Sequence, residues 1–79
     1  MALDSLWHAY HTAGYEALRA APREDALEQF YVALVAYGHD DYPEAATAAR
    51  EAVRRQPSNR VFEQGALYLE RVLAQGKAS

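Results

Sequence analysis

Two histidines, His8 and His11, come closest to a metal-binding pattern in this 79-residue chain. At a spacing of three on a helix their imidazoles share one face, and Asp4 lies one turn earlier. Imidazole and carboxylate groups ligate Zn²⁺ or Ni²⁺, and further ligands can come from a second chain. The other interpretation is that both histidines are solvated or lie in an interface. A metal-binding protein or metal-dependent enzyme that uses His8 and His11 is therefore the alternative hypothesis.

The rest of the chain holds no arrangement typical of an active site. The sequence has no glycine-rich phosphate loop, no paired buried carboxylates and no nucleophile with a suitably spaced base. It also has no cysteine, which excludes disulfides and cysteine-ligated metals. The main hypothesis is therefore a non-catalytic protein that needs no cofactor.

The charged residues are interspersed, and the formal net charge is −3. Binding to nucleic acid or to an anionic membrane needs a basic face. Four arginines form a local basic group, but arginine is also favoured near a helix C-terminus: Arg50, Arg54, Arg55 and Arg60. The chain shows neither a secretory signal nor an apolar run long enough to cross a bilayer. We expect a cytoplasmic protein without nucleic-acid or membrane partners.

Apolar residues recur at three- and four-residue spacing, which predicts four helices. The first is expected over 4–20, with Asp4 or Ser5 as its N-cap. The second is expected over 22–37, with Pro22 in its first turn and Gly38 as a left-handed C-cap.

The third helix opens with Asp41 as N-cap, Pro43 in the first turn and Glu44 reaching back to the cap. It is expected to end near Arg55. The fourth follows a cap at Ser58 or Asn59 and ends near residue 74. Short connections make neighbouring helices antiparallel. We expect one all-α domain over 1–76 and a frayed C-terminal tail over 77–79.

The chain repeats itself with a period of 35 residues. Segment 7–38 aligns without a gap on segment 42–73, and nine of the 32 aligned pairs are identical. A fixed period of this size is typical of stacked helix pairs. The repeat therefore predicts a scaffold that presents a surface.

The segment 42–59 resembles the second helix of a tetratricopeptide (TPR) repeat. Tyr42 stands at the inter-helix turn, Ala45 and Ala52 are the two small residues, and Pro57 follows five positions later. The chain departs from the family pattern where large aromatics are usual, at Gln29, Ala36 and Ala49. The resemblance implies four antiparallel helices in a TPR-like hairpin array: a half repeat, a full repeat and a half repeat.

The resemblance also implies which residues line the concave surface that TPR proteins use to hold peptides. The resemblance places four residues of the second helix there, and the internal repeat adds three from the last helix. Together they form the predicted interaction site: Leu27, Phe30, Leu34, Tyr37, Phe62, Leu69 and Val72. A domain this small buries little surface, and an exposed apolar patch usually marks an interaction site. We expect a small scaffold module that self-associates, as a homodimer, or binds an apolar helix or peptide. The other possibility is a compact bundle that buries the stripe internally.

Overall fold

The computed structural model describes residues 2–76, and its regular structure is entirely α-helical. The helices are α1 (Ala2–Ala13), α2 (Tyr15–Ala20), α3 (Ala26–Gly38), α4 (Tyr42–Arg55) and α5 (Arg60–Gly76). No strand occurs among residues 2–76. The all-α prediction is confirmed, whereas the predicted frayed tail at 77–79 lies outside the described residues.

The prediction of one continuous first helix over 4–20 is wrong, because Gly14 divides this segment into α1 and α2. Gly14 has φ 89° and ψ −176°, a conformation that glycine adopts without the steric cost of a side chain. Its amide donates to the Tyr10 carbonyl at 3.0 Å, and its carbonyl accepts from the Leu18 amide at 3.3 Å. The chain therefore bends while these backbone groups stay paired. Because α1 already begins at Ala2, neither Asp4 nor Ser5 is its N-cap.

The second predicted helix, α3 in the structure, begins at Ala26 rather than at Pro22. Asp25 is the N-cap: its side chain accepts from the Glu28 amide at 2.9 Å, and Glu28 Oε1 accepts from the Asp25 amide at 2.9 Å. This reciprocal capping box satisfies two amides that would otherwise lack intrahelical partners. Pro22 consequently lies in the connection between α2 and α3.

The left-handed residue between α3 and α4 is Asp40, where the sequence suggested Gly38. Gly38 is the last helical residue of α3, and Asp40 has φ 61°. Aspartate tolerates this region better than most side chains do. The Asp40 amide donates to Tyr37 O at 3.1 Å and the Asp41 amide to Ala36 O at 2.9 Å, which closes the turn.

The start of α4 is only partly as predicted. Pro43 lies in the first turn, and Asp41 occupies the N-cap position, but the Asp41 side chain makes no capping hydrogen bond. Its Oδ2 instead accepts from the Tyr15 hydroxyl at 2.7 Å. Glu44 pairs with Arg23 at 3.1 Å rather than reaching back to the cap. Both carboxylates thus tie the N-terminal part of the chain to α4.

Alanine dominates the core. α4 lies between α3 and α5, and its buried residues are all small: Ala45, Ala46, Ala48, Ala49 and Ala52. Small side chains let neighbouring helices approach closely. Leu6 of α1 and Leu18 of α2 are buried in the same cluster as Val32 of α3.

The predicted cap of the last helix is confirmed at Asn59. Its Oδ1 accepts from the Phe62 amide at 3.2 Å, one turn into α5. The Cα positions extend over 33 × 31 × 14 Å. Packed helices lie about 8–10 Å apart, so a thickness of 14 Å corresponds to two helix layers. The molecule is therefore flat, with broad faces and open ends.

Candidate functional site: the apolar surface of α3

The structure separates the seven predicted interaction residues into three groups. Leu27 and Leu34 are 47% and 54% exposed. Tyr37 and Val72 are half-buried. The remaining three are buried in the core: Phe30, Phe62 and Leu69. The surface available to a partner is therefore narrower than the resemblance implied and is centred on α3.

Leu27, Tyr31 and Leu34 form one apolar line along α3, which we call the α3 stripe. Their spacing of four and three residues places them on the same helix face. Tyr31 is half-buried, and burial, followed by the nearby Tyr10, raises the pKa of its hydroxyl above the usual value. The predicted site does not include Tyr31, although its helical spacing from the two leucines is sufficient to identify it.

In the second half of the chain, the residues equivalent to the α3 stripe are buried. Shifted by 35 residues, Leu27, Tyr31 and Leu34 correspond to Phe62, Ala66 and Leu69. All three of these α5 residues are buried, and α5 packs mainly on α4. The α3 stripe is therefore a helix-packing face without its covering helix.

The two halves of the chain differ at Gly14. Residues 7–20 correspond in the repeat to residues 42–55, which form the straight helix α4. In the first half this segment is divided into α1 and the short α2. Although α1 and α2 both contact α3, Leu27 and Leu34 remain exposed.

Phe30 is a core residue that holds α5 against α3. Its ring centroid lies 4.8 Å from that of Phe62. A Cβ placed on Gly65 would stand 2.6 Å from two carbons of the Phe30 ring, so only glycine leaves room for that ring. A charge at position 30 would therefore disrupt folding, and this residue is unsuitable as a probe of an interface.

Tyrosines form the edge of the surface at the C-terminal end of α3. The Tyr37 and Tyr68 hydroxyls lie 2.9 Å apart, and the Tyr37 ring centroid is 5.8 Å from that of Tyr42. The hydrogen bond to Tyr68 raises the pKa of Tyr37. The hydrogen bond to Asp40 likewise raises the pKa of Tyr42. These contacts join α3, α4 and α5 at one corner.

A second polar cluster joins α1 and α2 to the turn before α4. The Tyr15 ring stacks on His39, with centroids 4.6 Å apart and ring planes 7° from parallel, while Tyr10 Oη lies 2.8 Å from His39 Nε2. Burial and the hydrogen bond to Asp41 raise the pKa of Tyr15 far above its usual value. Arg19 lies 3.7 Å from the same carboxylate. The cluster fixes the bent N-terminal segment in place.

His8 and His11 lie on the exposed side of α1. The His11 ring is 4.2 Å from Trp7, and an open depression of about 520 Å³ is lined by Asp4, Ser5, Trp7 and His8. Within residues 2–76, no group of three or more His, Cys, Asp or Glu side chains is placed to hold a metal ion. A metal site using these histidines therefore needs ligands from outside the described part of the chain.

The predicted basic group is largely engaged in ion pairs. Glu51 binds both Arg54 and Arg55, and these hydrogen bonds lower the pKa of Glu51 to about 2. Arg50 lies 3.8 Å from Glu70. Among the residues that the structure describes, Arg60 makes no ion pair. The group therefore does not form a continuous basic surface.

Comparison with protein-family models, with curated proteins and with solved structures finds no match to this chain. The TPR-like arrangement therefore stays a prediction. In the described part of the chain, no helix combines the length and apolar character that crossing a membrane requires.

Proposed function

We propose that this chain is a small, non-catalytic protein-interaction module with a TPR-like helical array. Its α3 stripe binds the apolar face of a helix, supplied by a second copy of the chain or by another protein. The observation that carries this proposal is the exposure of Leu27 and Leu34 at 47% and 54%. Both leucines lie on a helix that has seven buried residues.

The internal repeat supports this assignment. The residues that correspond to the stripe in α5 are covered by a helix, and the segment that corresponds to that covering helix is bent away at Gly14. A row of apolar side chains at i, i+4 and i+7 fits an amphipathic helix, which is a common mode of recognition between proteins. Self-association is favoured because a second copy would also enlarge the small hydrophobic core.

The arrangement of α3 and α4 is compatible with the TPR resemblance. The connection between them is short, which favours an antiparallel hairpin. Ala45 and Ala52, the family's two small positions, are completely buried. The chain departs from the resemblance at Phe62 and Leu69, which pack inside the molecule instead of lining an open concave surface.

The test compares wild-type protein with the double variant Leu27→Glu/Leu34→Glu by sedimentation equilibrium over a wide concentration range. We expect the wild-type mass to rise above the 8.8 kDa of one chain. The variant should associate at least about tenfold more weakly, because burying an unpaired carboxylate costs more than about 1.4 kcal/mol. Both leucines are exposed, so the fold should survive the substitutions.

Thr47→Glu is the control, since Thr47 is exposed on α4 and lies outside the stripe. Circular dichroism should give the same helix content for all three proteins. An association constant that is equal in wild type and in the double variant would contradict the proposed role of the α3 stripe.

A further inference from the structure

The outer face of α5 is the clearest case of a packing surface that the chain leaves open. We define this face by five of the seven residues whose repeat counterparts are buried in α3, leaving out Glu63 and Gly65: Val61, Gln64, Leu67, Tyr68 and Arg71. Their counterparts, in the same order, are Ala26, Gln29, Val32, Ala33 and Ala36. On α5 the three large apolar members, Val61, Leu67 and Tyr68, are 67%, 53% and 50% exposed, and the Tyr68 hydroxyl lies 2.9 Å from that of Tyr37 at the edge of the face.

In α3 these positions pack chiefly against the helix that follows, α4. Ala26 shares a buried cluster with Ala52 of α4, and Ala33 shares one with the other α4 alanines. The same contact continues at the turn, where Tyr37 of α3 meets Tyr42 of α4 at 5.8 Å. The α5 outer face thus occupies the repeat positions that contact α4 in α3. It is therefore suited to a helix whose packing surface is like that of α4.

This chain contains one other segment of that type. Residues 7–20 align with residues 42–55, and five of the 14 pairs are identical. The segment is exposed on the side of α1 that carries Trp7, which is 54% exposed. Trp7 is the counterpart of Tyr42, and the counterpart of Tyr37 is Val72, at the C-terminal part of α5.

We propose that the N-terminal helical segment of one copy packs antiparallel on the α5 outer face of a second copy, with Trp7 placed against Val72 of that copy. The contact joins unlike surfaces, so it is heterologous and leaves one free end on each partner. It uses a surface separate from the α3 stripe and goes beyond the proposed function. In a row of copies, the N-terminal segment of each copy would lie against α5 of the previous copy, as α4 lies against α3 within one chain.

The charges of the two surfaces are complementary. Arg60 and Arg71 lie on the side of α5 that carries the outer face, and neither forms an ion pair among the described residues. The N-terminal segment carries Glu16 in α2, whose side chain is 82% exposed and lies 3.7 Å from Arg19 of the same helix. In an antiparallel arrangement the end of the segment that carries Glu16 approaches the end of α5 that carries Arg60.

The test uses two variants, each with one blocked end, in the Leu27→Glu/Leu34→Glu background, so that the α3 stripe does not contribute. Leu67→Glu blocks the α5 outer face, and Trp7→Glu blocks the N-terminal segment. Both residues are exposed, so both variants should fold, and circular dichroism checks this. We expect the background protein to form open-ended oligomers as its concentration rises, and each blocked variant alone to stay a monomer.

Mixing the two blocked variants in equal amounts is the decisive measurement. Each retains the end that the other lacks, so we expect a 1:1 complex of twice the 8.8 kDa chain mass and no larger species. Reversing the charges gives a second measurement. Arg60→Glu in the Trp7→Glu variant, which supplies the α5 outer face, should weaken the complex about tenfold. Glu16→Arg in the Leu67→Glu variant, which supplies the N-terminal segment, should restore it.

Three results would overturn this proposal. The first is a background protein that stays monomeric at millimolar concentration. The second is a mixture that forms no 1:1 complex. The third is association that Leu67→Glu abolishes while Trp7→Glu leaves it unchanged, because the outer face would then bind a different segment. None of these results alters the test of the α3 stripe, which compares wild type with the Leu27→Glu/Leu34→Glu protein.

Discussion

At the scale of single residues, the contact between Gly65 and Phe30 decides how closely α3 and α5 can pack. The Phe30 ring lies where a side chain at position 65 would begin, and the ring is held from another side by Phe62 at 4.8 Å. The two contacting residues hold equivalent positions in the repeat, because Gly65 is the counterpart of Phe30. One half of the chain thus supplies the large residue and the other half supplies the space.

The substitution Gly65→Ala should lower the free energy of unfolding by up to about 2 kcal/mol. Alanine favours a helix by about 1 kcal/mol over glycine, but forcing a methyl group into a filled core typically costs about 1–3 kcal/mol. Urea denaturation followed by circular dichroism measures the difference. Phe30→Leu in the same protein should recover part of the loss, and a double variant that is simply additive would argue against the contact.

At the scale of helices, the bend at Gly14 determines which faces of the molecule stay open. Gly14 takes a positive φ and ends α1, so the segment that corresponds to α4 cannot lie straight along α3. The Tyr15 contacts with His39 and Asp41 then hold α2 at the turn before α4. We expect the exposure of the α3 stripe to depend on this local backbone conformation.

The substitution Gly14→Ala should destabilise the protein, by about 1 kcal/mol or more, because an alanine is strained at φ 89°. Gly38→Ala is the matched control. Gly38 is helical, has no positive φ and has no atom within 4 Å of the place that an added methyl group would take, so alanine there should be neutral or stabilising by up to about 1 kcal/mol. Thermal unfolding of both variants measures the contrast, and equal effects would mean that the bend does not depend on Gly14.

At the scale of the whole molecule, the flat shape leaves packing faces open on both sides of the helix array. The chain has two helix layers over 33 × 31 × 14 Å, and the α3 stripe and the α5 outer face both expose large apolar side chains. A core made mainly of alanine buries little apolar area per residue. Contacts between copies should therefore contribute to folding stability itself.

The midpoint of thermal unfolding should accordingly rise with protein concentration. For association linked to folding, a hundredfold increase in concentration should add about 2.7 kcal/mol, which corresponds to about 10 °C or more for a chain of this size. Calorimetry at several concentrations measures the change. In the triple variant Leu27→Glu/Leu34→Glu/Leu67→Glu the midpoint should be independent of concentration, and an independent midpoint in wild type would contradict linked association.

The helical class and most element boundaries are predictable because they depend on short-range signals. The end of α4 at Arg55, the position of Pro43 and the cap at Asn59 all follow from residues within one turn of each other. The Asp25–Glu28 capping box is equally local, and its D-x-x-E pattern marks the true start of α3 more reliably than Pro22 does.

The sequence by itself determined an all-α chain, its 35-residue repeat and the apolar faces of its helices, because propensity, capping and periodicity act over a few residues. Only the tertiary structure decided which equivalent positions are buried. Leu34 and Leu69 are the same residue at the same repeat position, yet Leu34 is exposed and Leu69 is buried. The difference depends on the neighbouring helices: α4 covers α5, whereas the bent segment before α3 leaves Leu34 open. A periodic sequence specifies the faces, but long-range packing at the two ends determines which of them remain free.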